Sequence, residues 1–94
     1  MAKVIRRYAL TLASAQTLHV TPGHVVEVGI WENPQNPTEQ VPSLWRAEEP
    51  GGAVVLIHVR YAAEGEAVPG GSFTHRGSIG LNGERRTILQ VYTT

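Results

Sequence analysis

Four histidines, His19, His24, His58 and His75, are the side chains best suited to move protons or hold a metal near neutral pH. Their spacing serves neither task. No pair has the spacing of a helix face or of a zinc finger, and the chain has neither cysteine nor aspartate to complete a ligand set or orient an imidazole. His19-Val20-Thr21 has the His-x-Thr form of the two-histidine phosphoesterases, in which paired histidines exchange protons with a phosphodiester. The second copy is missing, because His58-Val59-Arg60 and His75-Arg76-Gly77 lack the hydroxyl residue. Ser14, Ser43, Ser72 and Ser78 sit in no Gly-x-Ser-x-Gly elbow. Gly77, Gly80 and Gly83 share their spacing with a phosphate loop, but no helix follows to present backbone N–H groups. The expectation is a non-enzyme with no catalytic residue, no metal and no cofactor.

Residues suited to binding are better represented. Eight basic and eight acidic side chains cancel, which argues against bulk-charge attraction to a long nucleic acid or a membrane surface. The charges are nevertheless uneven along the chain. Residues 1 to 26 carry Lys3, Arg6 and Arg7 without an acid, and residues 76 to 94 carry Arg76, Arg85 and Arg86 against Glu84 alone. If the first and last strands lie together, Arg6, Arg7, Arg85 and Arg86 form a local basic site suited to a phosphate or nucleotide. The plainer reading is that these arginines guard strand edges and cover apolar surface with their stems. Trp31, Trp45 and Tyr92 are the aromatics that would stack on such a ligand, or else anchor a core or subunit interface.

The elements that must position these residues read as strands. Helical spacing fails almost everywhere, while runs rich in Val, Ile, Leu, Thr and Tyr recur between Pro, Gly and Asn. The alternation predicts strands at Lys3–Leu12, Gln16–Thr21, His24–Glu32, Ser43–Glu48, Ala53–Tyr61, Ser72–Leu81 (broken at Gly77) and Arg85–Thr93. Seven short strands in 94 residues imply one all-β domain over 1–94, a small antiparallel sandwich or partly open barrel. Pro22-Gly23 predicts a hairpin between the second and third strands, Pro50-Gly51 and Pro69-Gly70 predict turns, and Asn82-Gly83 predicts a type I′ hairpin before the last strand. Asn33–Pro42 and Ala62–Gly71 read as loops.

The third strand is expected to place His24, Val26, Val28 and Ile30 on one face and Val25, Glu27, Gly29 and Trp31 on the other. The fifth places Val55, Ile57, Val59 and Tyr61 against Val54, Leu56, His58 and Arg60. In the last, Leu89 and Val91 oppose Arg86, Ile88, Gln90 and Tyr92. Strands with two partly apolar faces call for a cover, and a second subunit is an economical one, so a homo-oligomer is expected. The longest apolar run, Ala53–Ile57, is far short of the roughly 20 residues of a spanning helix. The basic and apolar start, Lys3 to Leu12, is too short and interrupted for a secretory signal, which would make the protein intracellular.

The order of motifs resembles a family of small uncharacterised bacteriophage proteins grouped as a domain of unknown function. Ile5-Arg6-Arg7-Tyr8-Ala9-Leu10 matches its opening strand, and Pro22-Gly23-His24-Val25-Val26 its turn before a β-branched strand. Leu44-Trp45-Arg46-Ala47, His75-Arg76-Gly77-Ser78 and Ile88–Tyr92 match later segments, while Ala63-Glu64-Gly65 stands where the family has Gly-Thr-Gly. The resemblance implies a phage accessory protein in the cytoplasm of a host cell and brings no catalytic residues. Three functions follow in order of expectation. The first is a homo-oligomer binding, and sequestering, a small anionic nucleotide-like signal of host defence through Arg6, Arg7, Arg85, Arg86, Trp31, Trp45 and Tyr92. The second is a protein-interaction module, an inhibitor of a host protein or a virion adaptor, using a sheet edge or a Trp patch. The third is a phosphodiesterase using His19 with another histidine.

Overall fold

The computed structural model describes residues 2–81 and 87–94 and contains seven antiparallel strands in two sheets. They are β1 (Val4–Ala9), β2 (Ala15–Val20), β3 (Gly23–Asn33), β4 (Asn36–Glu48), β5 (Val55–Ala62), β6 (Thr74–Leu81) and β7 (Thr87–Thr93). The first sheet runs β1-β4-β3 and the second β2-β5-β7-β6. Among the described residues no barrel closes, although β6 lies against β3 along one side. The Cα envelope of 45 × 39 × 17 Å is that of a flat sandwich, because two facing sheets stand about 10 Å apart.

The core forms where the inward positions of both sheets meet. Leu10 and Leu44 from the first layer pack with Val59, Ile79 and Val91 from the second, flanked by Tyr8, Leu18, Val25, Val28, Ile30, Tyr61 and Leu81. The expected facing of the fifth strand holds, with Ile57 and Val59 buried and Val54, Leu56, His58 and Arg60 exposed. The corner between β1 and β2 is fastened by side chains: Tyr61 Oη donates to Thr11 O at 2.7 Å, and Gln16 both accepts from Thr11 N and donates to Thr11 O.

Three expectations are corrected. The Pro22-Gly23 hairpin does not form, since β2 pairs with β5 and β3 with β4, so that residues 21–22 cross between sheets. Glycine is required there for a different reason, because a Cβ at Gly23 would collide with the Ala47 carbonyl. The expected loop Asn33–Pro42 is mostly strand. Asn33 Oδ1 accepts from Gln35 N at 3.0 Å, an Asx turn around Pro34 that returns the chain as β4. Pro42 stands in the central strand at the end of the β1 pairing, beside Ser43, the last β1 partner; its carbonyl still accepts from Leu10 N at 2.8 Å, and the N–H it lacks would face the same side. Finally, the alternation of the third strand slips at a bulge between Val25 and Glu27, so Val25 joins Val28 and Ile30 inside and His24 turns outward. The Asn82-Gly83 turn and the start of the last strand lie outside the described residues.

The break expected at Gly77 is a bulge in β6, with φ at 150°. A Cβ there would lie 2.5 Å from Val28 Cγ2, so Gly77 lets β6 approach β3 of the other layer closely. Gly23→Ala should therefore abolish the native fold and Gly77→Ala should lower the urea midpoint, whereas Gly70→Ala, with nothing within 4 Å, should change stability by less than about 0.5 kcal/mol.

Candidate functional site

Because β4 pairs on both sides, its register lays the first sheet out in rows that fix which side chains meet. On the outer face, one row reads Arg7, Trp45, Glu27; the next reads Ala9, Ser43, Gly29; beyond it Val41 stands beside Trp31. The middle row has only small side chains, so it is a trough between two tryptophan rows. Trp45 leans over it, its ring 3.9 Å from where a Gly29 Cβ would be. Arg7 reaches along it. Its guanidinium lies 4.0 Å from the centre of the Trp31 ring while Nη1 donates to Ser43 Oγ at 3.0 Å. Ser43 is fully buried under this arrangement, and its hydroxyl donates to Val41 O at 3.0 Å. A guanidinium stacked and tethered in this way is pre-organised, with further donors left for a partner. Ile5, exposed and paired with Ala47, continues the apolar part of this face.

The other residues expected to join the site stand elsewhere. Arg6, adjacent to Arg7 in the chain, points to the opposite side of β1 and reaches Glu48 at 3.6 Å. Tyr92 sits on the outer face of the second sheet between Arg60 and His75, its ring centre 5.3 Å from that of His75. Arg60 in turn lies 5.6 Å from the centre of the Phe73 ring. Arg85 and Arg86 lie outside the described residues. Thus Arg7, Trp31 and Trp45 come together, and Arg6 and Tyr92 do not join them.

The histidines are likewise dispersed. His24 faces outward from the first sheet and His19, His58 and His75 from the second. His58 Nδ1 meets Thr17 Oγ1 at 3.0 Å and His75 Nε2 meets Gln90 Oε1 at 2.8 Å. Among the described residues no three histidine or carboxylate side chains assemble into a metal-binding group, and no ligand-sized cavity opens.

A charged cluster that the sequence reading did not single out lies between the sheets. Leu44, Arg46 and Glu48 alternate inward along β4, and both charged residues are buried. Glu48 accepts from Tyr8 Oη at 2.7 Å, from Thr21 Oγ1 at 3.1 Å and from Arg46 Nε at 3.0 Å, while Arg46 Nη2 donates to Thr21 O at 3.2 Å. Burial pushes the Glu48 carboxyl up, but the hydrogen bonds from Tyr8, Arg46 and Thr21 outweigh it and hold the group below the usual carboxylate range. Tyr8 is pushed up from 10.0 to about 12 by burial and by the Glu48 carboxylate it serves. The available signal was the inward parity of 44, 46 and 48, which follows once Leu44 is assigned to the core.

Comparison of the chain with protein-family models, with curated proteins and with solved structures finds no match.

The cluster sets the limits of stability against pH. The contribution of Glu48 is present above its ordinary value of 4.5 and is lost as pH falls through its lowered folded value; that of Tyr8 is present below 10.0 and is lost as pH rises through about 12. Glu48→Gln, which leaves the Arg46 charge unpaired, should cost about 3–5 kcal/mol in urea titrations at neutral pH. Tyr8→Phe should remove most of the alkaline limb of the profile.

Proposed function

We propose that this protein is a non-enzymatic interaction module and that the outer face of β1-β4-β3 is its recognition surface. The observation that carries the reading is the Arg7 guanidinium held over Trp31 beside Trp45 on an open sheet face. Trp and Arg are the residues that most often dominate the energy of protein interfaces, and they do so when their geometry is set before the partner arrives. The flanking Ile5 supplies apolar area to cover, with Glu27 at the rim.

Several observations favour this reading over a small anionic ligand held by four arginines. Arg6 and Arg7 diverge to opposite faces, and no ligand-sized cavity opens among the described residues. A flat face with a tryptophan on each side of a shallow trough suits a macromolecular surface, because small-molecule sites usually enclose most of their ligand. Under the motif resemblance to phage proteins, the partner belongs to the infected cell or the virion. No helix among the described residues is long and apolar enough to cross a membrane.

The test is affinity for whatever protein the chain binds, measured with single substitutions on this face. Trp31→Ala and Trp45→Ala should each weaken binding by about 30-fold, the loss expected of a residue worth about 2 kcal/mol at an interface, with the β-sheet circular dichroism unchanged. Tyr92→Ala, on the other sheet, should leave it unchanged. Equal affinity for all three variants and the wild type would remove the assignment.

A further inference from the structure

The second sheet turns its own outer face to solvent, and the charges there have one sign. Its four strands, β2-β5-β7-β6, contain Arg60, Arg76, His19, His58 and His75 and not one carboxylate. The neutrality of the whole chain therefore conceals a division by layer. Glu27 and Glu32 lie on β3, Glu39 and Glu48 on β4, and Glu49 follows directly. Glu64 and Glu66 lie in the connection from β5 to β6, where Glu66 Oε1 accepts from Ala63 N at 2.8 Å. Of the basic groups, Arg76 is engaged with the buried Thr93, to whose Oγ1 its Nε donates at 2.8 Å.

Register gathers most of the others on the outer face. One row reads Ala15, Arg60, Tyr92, His75 from β2 to β6. In the next, Thr17 pairs with His58, whose backbone N–H donates to Thr94 Oγ1 at 2.9 Å. Phe73, just ahead of β6, completes the group, because the Arg60 guanidinium reaches to 5.6 Å from the centre of its ring. The side chains are held in place by their neighbours. The Tyr92 and His75 rings stand 5.3 Å apart at a tilt of 56°, His75 Nε2 meets Gln90 Oε1 at 2.8 Å, and His58 Nδ1 meets Thr17 Oγ1 at 3.0 Å. Arg60, His58 and His75 are exposed, and Tyr92 and Phe73 are partly so.

Aromatic rings interleaved with basic groups on an open sheet face specify a ligand with two kinds of surface. The charge calls for an anion, but an anion alone leaves Tyr92 and Phe73 without a role. A nucleobase stacks on an aromatic ring, and the phosphate beside it accepts from guanidinium or imidazole N–H groups. The bases must be unpaired, since in a duplex their faces are covered by the neighbouring pairs. A free nucleotide fits less well, because an open face would leave most of it in water. Bulk charge plays no part in this recognition, which depends on a local arrangement within a neutral chain.

We infer that the outer face of β2-β5-β7-β6 binds single-stranded nucleic acid, with bases stacked on Tyr92 and Phe73 and the phosphates held by Arg60 beside His58 and His75. The site is separate from Arg7, Trp31 and Trp45 on the other sheet, so either surface stands if the other falls.

The experiment is fluorescence anisotropy with labelled oligo-dT and oligo-rU of about 12 nucleotides, a length within the usual footprint of a single-strand site. At about 50 mM salt the full chain should bind one or both with a Kd in the micromolar range. Either strand supports the inference, and the tighter one identifies the sugar. Tyr92→Ala should weaken binding about tenfold, whereas Tyr92→Phe, which keeps the ring, should stay within about twofold. Arg60→Gln should weaken it and lower the slope of log affinity against log salt by about 0.7, the share of one phosphate contact on a single strand. Should Tyr92→Ala fail to fold, Arg60→Gln still decides, because the Arg60 side chain is exposed. Trp31→Ala should leave oligonucleotide binding unchanged. A duplex of the same length, and inorganic polyphosphate of matched charge, should each compete at least about tenfold less well, since neither offers an open base. No binding of either strand at about 100 μM overturns the inference, as does binding that is indifferent to both Tyr92→Ala and Arg60→Gln. Equal competition by polyphosphate would overturn it in favour of a plain anion site, and loss of binding on Trp31→Ala would overturn it in favour of the first sheet.

Discussion

The Glu48 carboxylate has no exposure to solvent, and the strands around it are placed by the need to satisfy its charge. Its partners come from three parts of the chain: Tyr8 on β1, Thr21 at the crossing between sheets, and Arg46 two residues back on β4. One set of hydrogen bonds thus holds the edge strand, the central strand and the passage from one layer to the other. A slip of one residue in β4 would turn Glu48 and Arg46 outward and bring Trp45 and Ala47 into their place, losing every one of these bonds. A buried ion pair contributes little net stability beside a well-packed apolar substitute; its effect here is on which register forms. That matters in a chain of 94 residues whose central cluster of buried apolar side chains is Leu10, Leu44, Val59, Ile79 and Val91.

The outer face inherits its pattern from this inner one. Once Leu44, Arg46 and Glu48 point inward, Ser43, Trp45 and Ala47 must point outward, and their neighbours on β1 and β3 are fixed by pairing. The trough, the stacked Arg7 and the charged row beside Trp45 are consequences of that single register. Charge separates by layer as a result. The first sheet mixes arginine with glutamate, whereas the strands of the second hold only basic and neutral side chains.

Much of the strand content was legible because apolar alternation is a local property: the facing of β5 follows from Val55 to Tyr61 alone. Pairing is not local, and there the reading failed. Pro22-Gly23 has hairpin chemistry, yet β2 finds its partner in β5, where Leu18 and Val20 meet the inward residues Ile57 and Val55. The prolines of the segment from Asn33 to Pro42 point to a loop, although Pro34 only sets the turn and Pro42 keeps its place beside the end of β1. The bulge after Val25 reversed two facings that strict alternation assigns. At the candidate site, Trp31, Trp45 and Arg7 were identifiable by residue type. That Arg6 would leave them follows from strand parity, whereas the Arg7 stack on Trp31, two rows away, depends on the small residues between them.

The central claim is that the outer face of the first sheet is the surface this protein uses to bind another protein. Trp31 and Trp45 are the two tryptophans of the chain and both lie on it, so their fluorescence reports on that face alone. The most direct measurement is tryptophan emission as the chain enters a complex with another protein, with formation of the complex followed in parallel by mass. The account predicts that emission shifts to shorter wavelength as the complex forms, because the rings lose contact with water. Complex formation with emission unchanged would place the contact on another face and contradict the claim.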